Sequence, residues 1–110
     1  MQVLLVYPPV LHERVHRDEV AVPPLGIYSV GAVLREQGYG VEILNACETA
    51  GRPESLEPVL DRVRPDVVGF SVLHANRWGA VDMARVIKRI DPGIRVVFGG
   101  IGATFLWEQL

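Results

Sequence analysis

Four short apolar runs alternate with stretches of helical periodicity, and that alternation restricts the chain to one fold class. The runs are QVLLV at 2–6, VEIL at 41–44, VVGFSV at 67–72 and RVVF at 95–98. Near-continuous apolar strands of this kind are buried on both faces, as in a parallel sheet. The first helix follows Pro24 and ends near Gln37, with Ile27, Val30, Gly31 and Leu34 as its core-facing stripe and Gly38 as its stop. Ser55 is placed to cap the second helix, whose stripe is Leu56, Val59, Leu60 and Val63; its charged face (Glu57, Asp61, Arg62, Arg64) is solvated. Asn76 is placed to cap the third helix, which is expected to bury Met83, Val86, Ile87 and Ile90 before Asp91-Pro92-Gly93 turns the chain. A last helical segment is expected at 103–110. The result is β-α-β-α-β-α-β-α with short connections: a flavodoxin- or Rossmann-like three-layer α/β fold with strand order 2-1-3-4. The pattern stops inside a helix with no C-cap glycine and no fifth strand, so the expectation is one domain, 1–110, cut short at its C-terminus. RVVF is then a largely apolar sheet edge, which predicts a homo-oligomer formed through it or by exchange of the terminal helix.

Composition narrows the class of partner. The chain has 110 residues and a net charge of −2, with both signs interspersed, so it lacks the basic patch that nucleic acid or an anionic membrane would need. No apolar run approaches the roughly 18 residues of a membrane span. The opening MQVLLV has no basic flank and runs into Tyr7-Pro8-Pro9, so it reads as a strand and not as a signal peptide. Cys47 is the only cysteine, which rules out a disulfide framework; it reads as a small buried hydrophobe, and a cytoplasmic location follows.

In an open α/β sheet, ligands bind outside the carboxyl ends of the strands. Three segments fall there: a proline-bounded loop at 7–25, Ser71-Val72-Leu73, and Gly99-Gly100. A hydroxyl and two residues without Cβ suit the close approach of a ligand. Several chemistries are excluded or weakened. No G-x-G-x-x-G follows the first strand and no G-x-x-x-x-G-K-[ST] occurs, which leaves little for a dinucleotide or P-loop reading. Tyr7 stands where a phospho-acceptor domain would need an acid. His12 and His16 are four residues apart, but in a proline-bounded stretch with no helical pattern and no carboxylate at ligand spacing, so they and His74 read as solvated loop residues. Ser71 lacks the G-x-S-x-G context of an activated nucleophile.

The blocks VLLVYPP, PPLGIYSVGAVLREQGYGVEIL, PDVVGFSV and VVFGGIGAT occur in an order and spacing that resemble the N-terminal cobalamin-binding domain of cobalamin-dependent radical S-adenosylmethionine enzymes. The wider cobalamin-binding signature is D-x-H-x-x-G, then S-x-L, then G-G. This chain keeps the last two, as Ser71-Val72-Leu73 and Gly99-Gly100, and has no D-x-H-x-x-G. The resemblance implies cobalamin as cofactor, its nucleotide tail threading between the first and third strands at the topological switch point and passing Ser71 and the Gly99-Gly100 backbone, and its corrin ring lying across the strand tips. The implied cofactor-binding residues are Tyr7, Pro8, Ser71, Val72, Leu73, Asn76, Gly99, Gly100, Gly102 and Thr104. It also implies a cobalt without the usual imidazole below it; His12 and His74 stand near enough to the motif positions to be weighed as a cobalt ligand and a corrin contact.

One cysteine cannot supply the C-x-x-x-C-x-x-C of a radical S-adenosylmethionine cluster. By this resemblance the chain is the corrinoid-carrying part of a methyltransferase-like enzyme. The iron-sulfur cluster, S-adenosylmethionine and their domain are then expected downstream. The alternative is a cofactor-free domain of the same fold that recognises a substrate or a protein, because one scaffold hosts many functions. A small nucleotide- or flavin-binding domain is a third reading. Cobalamin titration separates them.

Overall fold

Parallel pairing organises the sheet. In a computed structural model that describes residues 1–8, 25–46, 56–73 and 76–110, the elements are β1 (Gln2–Tyr7), α1 (Leu25–Glu36), β2 (Gly40–Asn45), α2 (Leu56–Val63), β3 (Val67–Ser71), α3 (Arg77–Ile90), β4 (Arg95–Gly99) and α4 (Ile101–Leu106), followed by a 3-10 turn at Trp107–Gln109. The four strands form one parallel sheet in the order β2-β1-β3-β4. This is the expected α/β fold, with β4 at the edge. The readings for Pro9, His12, His16, Pro24, Cys47, Ser55 and His74 lie outside the described residues.

The two faces of the sheet are covered unequally. On one face, Leu4 and Val6 of β1 and Val68 and Phe70 of β3 pack with Leu56, Leu60 and Val63 of α2 and with Ala80, Met83 and Ile87 of α3. Phe70 and Phe98 meet there at 5.7 Å between ring centroids. On the other face, Val3, Leu5 and Tyr7 pack with Ile27 of α1, joined by Leu34, Val41 and Ile43. These contacts set α1 over β1 and β2. Over β3 and β4 the same face carries no helix among the described residues, and Val97 is 53% exposed.

Local signals account for the boundaries. Gly38, at φ +90°, ends α1; its N–H donates to Arg35 C=O and Tyr39 N–H to Leu34 C=O, at 3.0 and 3.1 Å. That is the Schellman pattern, in which a left-handed residue satisfies the last carbonyls. After α3, Asp91 Oδ1 accepts from Gly93 N–H at 2.9 Å and so closes the turn into β4. At the amino ends of the strands, Gln2 N–H donates to Asp66 Oδ2, while Asp66 N–H donates to Gln2 C=O.

Several expectations need correction. Val30 belongs to the apolar stripe of α1 but is 52% exposed, because it overhangs the bare part of the sheet. Ile90, at the last turn of α3, is 39% exposed, beyond the reach of the sheet. The final helix starts at Ile101, directly after Gly100, and gives way to the 3-10 turn after Leu106. Asn76 precedes α3 but makes no side-chain cap bond; its amide is engaged elsewhere.

Candidate functional site

A groove of about 280 Å³ runs between α1 and the uncovered face of β3 and β4. Its floor follows from strand register. Leu5, Gly69 and Val97 are paired across β1, β3 and β4, so they form one row; Ser71 and Gly99 pair in the next row toward the carboxyl ends. Side chains alternate along a strand, which aims these positions at the same face. Gly26, Ile27 and Val30 of α1 form the wall, and Gly100 lies at the rim. A glycine inside a buried strand marks close approach, and Gly69 lowers the centre of the floor: a Cβ there would stand 3.0 Å from Leu5 Cδ2.

Among the described residues the groove is apolar apart from the Ser71 hydroxyl and exposed backbone, and none of those lining it is charged. It therefore suits a neutral, flat or apolar group, not a free phosphate. A second hollow, lined by Met1, Asp66, Asp91 and Arg95, lies at the amino ends of the strands, away from the S-x-L and G-G segments.

The paired glycines do different jobs. A Cβ on Gly99 would have only Phe70 C=O nearby, at 3.9 Å, and would otherwise enter the groove. Gly100 has φ +89°, and a Cβ there would press on Val72 O at 3.0 Å and Val72 N at 3.2 Å. Gly102 is tighter still, with Val72 O at 2.6 Å from its ideal Cβ. So Gly99 keeps the floor open to a ligand, while Gly100 and Gly102 admit the Val72 backbone. That backbone is bonded on both sides: Val72 N–H donates to Gly99 C=O at 2.8 Å, and Gly102 N–H donates to Val72 C=O at 2.7 Å.

The other expected site residues divide by exposure. Ser71, Gly99 and Gly100 line the groove. Leu73 is half-buried at the strand tip and packs against the α1-side cluster. Tyr7, Pro8 and Val72 are buried in the body of the domain and support the tip from beneath. Thr104 is exposed, and its hydroxyl donates to Gly100 C=O at 3.0 Å, leaving oxygen lone pairs free to accept. Asn76, 1% exposed, turns its amide inward. Sequence reasoning did not pick out Leu5, Gly26, Ile27, Val30, Gly69 and Val97 as lining. Gly69, interrupting the apolar run VVGF, was the available signal.

No group of three or more His, Cys, Asp or Glu side chains able to hold a metal occurs among the described residues. Among the same residues, no helix is long and apolar enough to cross a membrane.

Comparison with known proteins places the chain in a family. The family model described as B12 binding domain matches residues 15–110. An uncharacterized methyltransferase of Pyrococcus horikoshii is 27% identical over 108 residues, covering 98% of this chain and 23% of that protein. An anaerobic magnesium-protoporphyrin IX monomethyl ester cyclase of Rubrivivax gelatinosus is 25% identical over 89 residues, covering 80% of this chain and 16% of that enzyme. The chain thus spans less than a quarter of the length of these curated relatives. No solved structure matches it significantly.

Proposed function

Because the chain belongs to the B12-binding domain family, whose cofactor is cobalamin, we propose that it holds the nucleotide tail of cobalamin in the α1–β3–β4 groove, with the corrin ring across the strand tips. The observation that carries this reading is the floor of the groove. Gly99 leaves open the space that a Cβ would fill, beside the Ser71 hydroxyl and at the carboxyl ends of the strands. A ligand can lie against the backbone there, and the apolar walls from Ile27, Val30 and Val97 exclude water from a flat base. Ser71 supplies a hydroxyl that both donates and accepts. Thr104 and Gly100 are exposed beside the tip, where corrin amide groups would need partners.

The sequence has no D-x-H-x-x-G, so on this reading the cobalt has no histidine from that motif beneath it, and the tail base sits detached in the groove. Bound, the corrinoid would supply a cobalt able to carry a methyl group, while the protein supplies binding and orientation. We assign the domain to a methyltransferase-like radical S-adenosylmethionine enzyme. Its resemblance to that group's N-terminal domain supports this, as does its similarity to an enzyme named as a methyltransferase. A C-x-x-x-C-x-x-C encoded after this segment is the expected observation; a continuing reading frame without one contradicts that part of the reading.

Titration with hydroxocobalamin tests the core of it. Binding is expected to shift the visible corrin spectrum to a form without histidine coordination and to saturate at one equivalent per chain. An unchanged spectrum would favour the cofactor-free recognition domain instead.

A further inference from the structure

Asn76 is fully buried, yet it neither caps α3 nor reaches the groove. Its Oδ1 accepts a hydrogen bond from Leu73 N–H at 2.7 Å, and its Nδ2 donates to Ser71 C=O at 3.4 Å. One amide side chain therefore spans the S-x-L turn on the side facing α3. The opposite side of the same turn is held by Val72, through its bonds to Gly99 and Gly102. Gly100 and Gly102 have no room for a Cβ because Val72 fills the space.

We infer that Asn76 is a positioning residue for the corrinoid site: with Val72, Gly100 and Gly102 it forms a joint that locks the β3 and β4 tips together and fixes Ser71 opposite Gly99. The inference rests on the cobalamin reading for the identity of the ligand, and on hydrogen bonding alone for the joint. The S-x-L and G-G segments are then linked by direct contact with each other, whichever of their atoms also touch the ligand. A buried amide with both ends engaged resists rearrangement, since breaking either bond strands a polar group away from water. The joint is thus preorganised, and the ligand need not order it on binding.

Asn76→Ala and Asn76→Asp test this, with Ile87→Val as a control for lost stability in the same helix away from the groove. Two readouts are needed: amide hydrogen exchange of Leu73 in the cofactor-free chain, and hydroxocobalamin affinity from the visible spectrum. Asn76→Ala is expected to speed Leu73 exchange and to weaken hydroxocobalamin at least about tenfold, more than the control does at the same melting temperature. Asn76→Asp keeps an acceptor for Leu73 N–H but opposes Ser71 C=O; it should retain Leu73 protection and bind with intermediate affinity. Unchanged Leu73 exchange in Asn76→Ala would overturn the joint. Wild-type affinity in Asn76→Ala, or an equal loss in Ile87→Val, would overturn the positioning role. A wild-type chain that bound no hydroxocobalamin would overturn the cobalamin reading and with it the positioning role, while Leu73 exchange would still decide the joint.

Discussion

A Gly99→Val substitution sends three carbons into the groove while asking almost nothing of the fold. The ideal Cβ at Gly99 meets only Phe70 C=O, at 3.9 Å, which is ordinary van der Waals contact. Valine also suits an extended strand end better than glycine does. The added carbons, each about the size of a water with its ~30 Å³ share of liquid volume, would take roughly 90 Å³. That is about a third of the groove's 280 Å³. If a ligand of the same bulk is displaced, about 0.8 kcal/mol of apolar burial is lost per carbon, or ~2.4 kcal/mol in all. Hydroxocobalamin affinity should then fall about 50-fold, with a melting temperature within a few degrees of wild type. Gly100→Val provides the contrast. At φ +89° and 3.0 Å from Val72 O it strains the backbone, so it should lower the melting temperature by about 4 °C or more, with or without ligand. The assay is a paired titration and thermal melt of both variants. A Gly99→Val chain that binds at wild-type affinity, or that melts as early as Gly100→Val, would refute the division of labour between the two glycines.

Other outcomes follow from the same geometry. Ser71→Ala should weaken hydroxocobalamin about five- to tenfold by removing one neutral hydrogen bond, with thermal stability unchanged. Gly38→Ala places a Cβ at φ +90° and should cost about 1 kcal/mol of stability in a denaturant titration, without altering ligand affinity. Ile87→Ala, fully buried on the core-facing side of α3, should cost ~2–5 kcal/mol in the same experiment. The edge of β4, unpaired among the described residues and with Val97 and Ile101 exposed nearby, should drive self-association; light scattering across a concentration series is expected to show a mass above that of the monomer.

Much of the fold was legible because period and punctuation agree in this chain. Near-continuous apolar runs mark the four strands, although β4 is left partly exposed, and Gly38 and Asp91-Pro92-Gly93 mark where helices must stop. What the pattern could not supply is the neighbour that each face meets. Val30 sits in a clean apolar stripe, yet whether it is covered depends on what lies over β3 and β4. Asn76 has the residue type and position of a cap, but its amide oxygen accepts from the Leu73 N–H instead, a pairing that no local rule specifies. Gly99 and Gly100 are indistinguishable as letters. The sign of φ and the position of Val72 separate them, and both depend on how the two strand tips meet.

A crystal structure of the chain grown with cobalamin tests the central claim most directly. The account predicts the tail base between Ile27, Val97 and Gly99, with Ser71 within hydrogen-bonding distance of the tail. Density for the tail in the hollow at the amino ends of the strands, beside Asp66 and Arg95, would contradict it, as would a tail lying free in solvent.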